Sequence, residues 1–401
     1  MGKEHILVGL EIGTSKICVV VGEADPVGPI RILGVGQAPS RGVRKGEIID
    51  FETAHKCVRE ALNEAEERSD VTIRSVFLAL TGGHIESLNN RGEITLPEER
   101  EEIDENDLED IEISARDVNI PKANAFIHSV LQHFYIDGQE GVVNPVGMLG
   151  RKLQGDYHII HGVSNRIKNT IRCVREIGID VEDVVFSGLA SAAVVLTSQQ
   201  KDLGALVIDI GGGTTDYVLH FDGAVKQSGV LAIGGDHITN DISMGLRIPM
   251  AKAERLKVEH GDVSPDGAEG EAFIQMQDER GFAGRDVDRE TLNLIIRCRM
   301  EEVFGLVRKR LDEAPYLRML GAGVFLTGGC SQLKGIRELA QEIFGVPVHG
   351  AHSSPTGPRS AAENPQLSSA VGLLRYAQAK LGRAPEKAGL ISKIRKIFSR
   401  R

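Results

Sequence analysis

The chain has 401 residues and a formal net charge of −10, with 41% apolar and 26% charged residues. That length allows two domains or more in an ordinary globular composition. The acidic balance argues against a nucleic-acid face, because a line of phosphates is neutralised only by Lys/Arg patches.

Met1 to Ile6 lacks the apolar core of a signal peptide, and Ile6 spoils a myristoylation motif. No apolar run approaches the roughly 18 residues a spanning helix needs. Cys18, Cys57, Cys173, Cys298 and Cys330 are far apart without CxxC spacing, which suits reduced thiols in the cytosol.

The run Ile6-Leu-Val-Gly-Leu-Glu-Ile-Gly-Thr-Ser-Lys16 predicts a buried strand that turns sharply into a second one, Lys16–Val21. Glycine at such a turn lets backbone N–H groups approach an anion, and hydroxyls add donors. Gly13, Thr14, Ser15 and Lys16 are therefore candidate phosphate contacts. Further on, an acidic stretch from Glu93 to Glu112 reads as a solvated helix and its approach.

The first pattern returns as Ala205-Leu-Val-Ile-Asp-Ile-Gly-Gly-Gly-Thr-Thr-Asp216, leading into Tyr217–Phe221. Gly211, Gly212, Gly213, Thr214 and Thr215 become the second phosphate loop. Glu11 and Asp209 occupy matching positions before the glycines, where they could hold Mg²⁺ through waters. A third loop, Val324-Phe-Leu-Thr-Gly-Gly-Cys-Ser331, places Gly328 and Gly329 where a strand-to-helix turn can pass under an adenosine.

The last thirteen residues read Gly389-Leu-Ile-Ser-Lys-Ile-Arg-Lys-Ile-Phe-Ser-Arg-Arg401. On a helix, Leu390, Ile391, Ile394, Ile397 and Phe398 form one apolar stripe. Lys393, Arg395, Lys396, Arg400 and Arg401 fill the rest, so the segment is expected to lie flat on an anionic bilayer.

The three glycine loops together resemble the actin/hexokinase/heat-shock-chaperone superfamily. The resemblance implies an α/β fold of two ribonuclease-H-like lobes hinged around Mg-ATP. The hinge helices would be Gly188–Leu196 and Ser368–Tyr376, both rich in Ala, Ser and Gly. It also implies that Gly234-Gly235-Asp236 lies near the nucleotide and that Glu254 and Lys257 contact the ribose. One helical turn separates those two, so both can face one sugar.

Within that superfamily, several stretches resemble the FtsA family of bacterial cell-division proteins. They are Gly9-Leu-Glu-Ile-Gly-Thr-Ser-Lys16, Ser40-Arg-Gly-Val-Arg-Lys-Gly-Glu-Ile-Ile-Asp50, Tyr135-Ile-Asp-Gly-Gln139, Asn144-Pro-Val-Gly-Met148 and the basic tail. The resemblance implies lobe one at 1–84 and 162–196, completed by a hinge helix at 368–381. An α+β subdomain at 85–161 would interrupt it, between Thr81-Gly-Gly-His84 and the strand Tyr157–Gly162. Lobe two would span 197–367 with an outer subdomain at about 236–310, then a linker at 382–388 and the membrane helix at 389–401.

The family's role implies a scaffold at the cytoplasmic face of the inner membrane. It would bind the C-terminal tail peptide of FtsZ, assemble head to tail with itself and recruit later divisome proteins. Arg297 and Arg299, on a helix near Asn293–Leu311, are the candidates for the peptide's carboxylates. For hydrolysis, Asp209 and Asp216 are the candidate groups, since Phe186–Ala190 offers no carboxylate or amide to position water. Slow turnover is expected. A sugar or acyl kinase, a chaperone-type ATPase and an actin-like pilus component remain as alternatives on the glycine loops alone.

Overall fold

The computed structural model describes residues 5–26, 28–264, 271–278, 284–312, 315–351 and 364–382. The chain opens with β1 (His5–Ile12), β2 (Lys16–Ala24) and β3 (Arg31–Pro39), a short ribbon β4 (Val43–Arg44) and β5 (Glu47–Ile48), helix α1 (Phe51–Ser69) and β6 (Ser75–Leu80). Then come β7 (Ile85–Thr95), α2 (Glu105–Arg116), β8 (Asn124–Ile136), β9 (Gln139–Val142) and β10 (Lys152–Val163). Helix α3 (Ser164–Arg175), β11 (Asp180–Phe186), α4 (Ser187–Val195) and α5 (Ser198–Leu203) follow.

The second half begins with β12 (Ala205–Ile210), β13 (Thr215–Phe221), β14 (Ala224–Leu231), α6 (Gly235–Leu246) and α7 (Met250–His260). It continues with β15 (Phe273–Met276), β16 (Arg285–Asp288), α8 (Arg289–Asp312), β17 (Gly323–Thr327), α9 (Ile336–Phe344), β18 (Val348–Gly350) and α10 (Ser368–Gly382).

Two five-stranded sheets repeat one topology: β11-β6-β1-β2-β3 and β18-β17-β12-β13-β14. In each, three antiparallel strands are extended by two parallel ones. The duplication seen in two short sequence stretches is thus a duplication of whole sheets. Leu-Val-Ile in β12 and Val-Val-Val in β2 are buried on both faces, as central strands covered by helices must be. Asp50 caps α1 by accepting from the Thr53 N–H, and the helix lays Ala54, Val58, Ala61 and Ala65 on β3.

Residues 85–163 build a separate four-stranded sheet, β7-β10-β8-β9, with α2 across one face. Ile103, Ile111, Phe134, Leu153 and Ile159 form its own core. The strand expected at Tyr157–Gly162 as the resumption of lobe one is instead part of this sheet. It starts at Lys152 and pairs along its length with β7 and β8.

The two halves meet at α4 and α10. A Cβ added to Gly372 would lie 1.9 Å from the Ala190 carbonyl oxygen, and one on Gly9 would lie 2.5 Å from that of Ala370. Small residues let the two hinge helices cross at backbone contact. Gly372→Val is therefore expected to lower the calorimetric unfolding midpoint, at a cost of about 1–3 kcal/mol or more. Gly305→Ala, in α8 with open space around it, is expected to stabilise by about 0.4–1 kcal/mol. Equal midpoints for both variants would refute the close crossing.

Candidate functional site

The two phosphate loops have the same local structure. β1 and β2 pair up to Ile12↔Ile17, and β12 and β13 up to Ile210↔Thr215. Each leaves four loop residues, Gly13–Lys16 and Gly211–Thr214. Gly13 N–H donates to the Lys16 carbonyl at 3.0 Å, and Gly211 N–H to that of Thr214 at 2.9 Å. The loops face each other closely. A Cβ on Gly212 would lie 2.9 Å from the Ser15 Cβ, and one on Gly213 would lie 2.3 Å from the Thr14 Oγ1.

Together they open into a cavity of about 410 Å³ lined by Glu11, Gly13–Lys16, Asp209, Gly211–Thr214, Asp216, Gly235, Asp236, Glu254, Lys257, Gly328 and Gly329. Nearly every expected nucleotide contact is thus gathered in one place. Thr215 is the exception. It lies on β13, its hydroxyl donates to the Ile233 carbonyl at 2.8 Å, and it is fully buried away from the cavity. Strand alternation explains this, since Thr214 and Asp216 take the opposite face.

Glu254 and Lys257 are joined at 2.7 Å on α7. Lys257 Nζ also donates to the Gly235 carbonyl at 3.1 Å and to Thr239 Oγ1 at 2.9 Å. This network ties the expected ribose pair to the N-terminus of α6. At the third loop, Gly328 has φ +83°, and a Cβ there would lie 2.4 Å from Asp209 Oδ1. The strand leads into a short 3₁₀ turn, Gly329–Gln332, before α9.

Three carboxylates cluster at the phosphate end, Asp216 buried and Glu11 and Asp209 half-buried. Burial pushes the Asp209 carboxyl up to about 7, reinforced by the charge of Glu11, while Ser191 Oγ donates to it at 2.6 Å. Burial raises Asp216 well above its usual value, reinforced by Asp209, against a 2.7 Å hydrogen bond from Thr81 Oγ1. Glu11 is raised by burial, and its Oε2 is buried without a hydrogen-bond partner. The unpaired buried Glu11 Oε2, with the Asp209 carboxyl acting on the same cluster, has the donor chemistry for a divalent cation. Among the described residues no three acidic, His or Cys side chains are placed to ligate one directly.

Sequence reading missed Thr81, Ser191, Cys330, Gln366 and Ser369. All but Ser191 line the cavity, and Ser191 holds Asp209. A signal for Thr81 was present: Leu-Thr-Gly-Gly occurs at 80–83 and again at 326–329. Those copies end β6 and β17, the equivalent strands of the two sheets.

Arg297 and Arg299 sit on α8, away from the cavity lining. Arg297 bonds Glu301 at 2.7 Å and Glu342 at 3.2 Å; Arg299 grips Asp241 at 2.6 and 3.0 Å and also contacts Glu302. The expected membrane residues Leu390, Ile391, Lys393, Ile394, Arg395, Lys396, Ile397, Phe398, Arg400 and Arg401 lie outside the described residues.

The family model described as cell division protein FtsA matches residues 206–372, and the SHS2 domain inserted in FTSA matches residues 82–161. The cell division protein FtsA of Pseudomonas aeruginosa is 37% identical over 372 residues, covering 92% of this chain and 89% of that one. The fold matches a chain of a PilM-PilN type IV pilus biogenesis complex with TM-score 0.66 at 16% identity, covering 94% and 99% of the two chains. It matches MreB5 of Spiroplasma citri bound to ADP with TM-score 0.58 at 14% identity, covering 95% and 99%. At such identity the structural likenesses speak for a shared actin-like fold alone. The sequence identity, sustained over nearly the whole chain, goes further: the chain belongs to the FtsA family of cell division proteins.

Proposed function

We propose that this chain is an ATP-binding, actin-like scaffold that tethers FtsZ filaments to the cytoplasmic face of the inner membrane. On this reading it assembles head to tail and recruits later divisome proteins. Family membership supports the setting. The observation that carries the nucleotide reading is the pair of matching glycine loops closing on one cavity beside three clustered carboxylates.

ATP with Mg²⁺ would lie with its phosphates between Gly13–Lys16 and Gly211–Thr214 and its ribose toward Glu254 and Lys257. The metal neutralises phosphate charge when bound; Glu11 and Asp209 are the residues that would hold it. The nucleotide acts mainly as a structural ligand that closes the cleft, and turnover is slow. Ser187 Oγ is engaged with the Leu80 carbonyl at 3.1 Å, and Ser191 with Asp209. The Gln366 amide faces Lys16 at 3.4 Å.

The carboxylates give a pH signature. Asp209 and Asp216 have folded pKa values above the usual carboxylate range. Between about 4 and 7 these two carboxyls hold more protons in the folded, nucleotide-free chain than in the unfolded one. Their contribution to stability is therefore present at the acid end of that window and is lost as pH climbs, opposite in sign to that of the histidines that burial holds down. Asp216→Asn is expected to raise the nucleotide-free midpoint at pH 7, remove its share of this loss from the pH slope of stability and weaken Mg-ATP binding. An unchanged slope in chemical denaturation would refute it.

For the FtsZ tail peptide, Arg299 is the stronger candidate, because a bidentate guanidinium can exchange one carboxylate for another. Its ion pairs with Asp241 and Glu302 mean that an incoming carboxylate must compete with them. Arg299→Glu is expected to weaken peptide binding at least about tenfold, a loss of about 1.4 kcal/mol, with nucleotide binding retained. Unchanged peptide affinity in a titration would exclude this helix face.

Attachment to lipid rests on the tail. Full-length chain is expected to float with anionic liposomes, more strongly with Mg-ATP, and a version ending at Lys387 to stay behind. Ile394→Glu or Phe398→Glu should also abolish flotation. Flotation of the truncated version would place the membrane contact elsewhere.

A further inference from the structure

We propose that Lys45, at the tip of the β4–β5 ribbon, is the residue that distinguishes a bound nucleoside triphosphate from a diphosphate by contacting its terminal phosphate. This rests on the nucleotide reading of the cavity given above. The polarity of the cavity fixes where that phosphate lies. Glu254, Lys257 and the third glycine loop define the nucleoside end, so the terminal phosphate lies at the opposite end, by Thr14, Gly213 and Thr81.

The ribbon tip sits at that end. Arg44 pairs with Glu47, leaving Lys45 and Gly46 as a two-residue turn with φ +53° and +77°. Gly46 N–H donates to Thr14 Oγ1 at 3.0 Å. A Cβ on Gly213 would meet the Lys45 N and Cα at 2.9 Å, and one on Gly46 would meet Thr81 Cγ2 at 2.9 Å. The tip is covalently part of lobe one yet rests on the phosphate loop of lobe two. Burial, helped by the charge of Lys45, holds down the imidazole of His237 at the start of α6.

Two features make the lysine itself the point of interest. Turns with positive φ at both central residues favour Asn or Gly at the first, so a lysine occupies a backbone region better suited to other residues. Outliers held in place by their surroundings concentrate at ligand contacts. Charge gives the second reason. Five carboxylates against two lysines line the cavity, and Lys257 is engaged with Glu254. Adding a third phosphate to such a site calls for a further cation, and Lys45 has no ion-pair partner among the described residues. A triphosphate would bind it and pin the lobe-one tip onto lobe two. A diphosphate would leave it in water, so the two nucleotides would favour the closed lobes to different degrees.

The test is calorimetric titration of the full chain with Mg-ADP and with the Mg complex of a non-hydrolysable ATP analogue. Lys45→Asn suits the turn and removes the charge; Lys45→Arg keeps the charge. With Lys45→Asn, affinity for the triphosphate is expected to fall about tenfold or more, the scale of one charge-assisted hydrogen bond. Diphosphate affinity should stay within about twofold, and Lys45→Arg should keep the triphosphate preference. Equal losses for both nucleotides, or no loss, in a chain whose wild type binds both would overturn the sensor alone. A wild type that binds neither nucleotide would overturn the nucleotide reading and the sensor with it.

Discussion

The rest of the molecule depends on two backbone loops being able to touch across a cleft. Gly212 and Gly213 stand where any side chain would strike Ser15, Thr14 or Lys45. Beside them Glu11, Asp209 and Asp216 cluster, and loss of water with mutual repulsion raises their carboxyls and is a standing cost to the fold. A metal-bound polyphosphate would offset it. Any ligand that binds only the folded, closed arrangement stabilises it by mass action, so stability, closure and occupancy are linked at one site. Two glycine- and alanine-rich helices cross at backbone contact at Gly372 and Ala190, where the halves meet.

Much of this was legible in the sequence because the backbone requirements leave residue signatures. Gly13 and Gly211–Gly213 mark the places where the chain turns and an anion approaches. The duplicated strand-acid-glycine pattern predicts two like lobes. The FtsA resemblance supplied the insertion, and the wider superfamily resemblance singled out Glu254 and Lys257. What stayed hidden depends on partners far apart in sequence. Thr81 matters because β6 lies parallel to β1 and delivers its hydroxyl to Asp216, 135 residues away. Thr215 was misjudged because a turn pattern says nothing about which face of the following strand each residue takes. The ion pairs of Arg297 and Arg299 come from α6, α8 and α9, and a basic helix face reads the same with or without them.

The inserted sheet adds a constraint that sequence did not suggest. It is carried by lobe one yet bonded to β14 of lobe two. Ser87 Oγ donates to the Ser228 carbonyl at 2.7 Å, and Asn89 Nδ2 to that of Lys226 at 2.9 Å. Burial holds the His158 imidazole down to about 4, so at pH 7 it is neutral. Its Nδ1–H then donates to Asn89 Oδ1 and its Nε2 accepts from Ser228 Oγ, each at 2.7 Å. On the other side His128 Nε2 accepts from the Phe186 N–H at 3.1 Å, at the start of hinge helix α4. The insertion thus touches the hinge and both lobes. A movement of lobe two would have to break, carry or slide this seam.

That seam bears on why the proposed scaffold would bind nucleotide at all. On the proposed membrane reading, a single short tail would gain several kcal/mol from about five apolar side chains at about 25 cal/mol per Å². Each basic residue would add roughly 1 kcal/mol near an anionic leaflet. Ordering a helix below about 12–15 residues would oppose both, so one tail would attach weakly and reversibly. An assembled row of chains would multiply the attachment without a new contact, because each further tail would bind at high effective concentration. If cleft closure set the insertion's angle, and the insertion helped set the contact between neighbours, nucleotide would control membrane affinity through assembly rather than through the tail. Slow turnover would then suit the proposed role, since the bound state would have to outlast the assembly it stabilises.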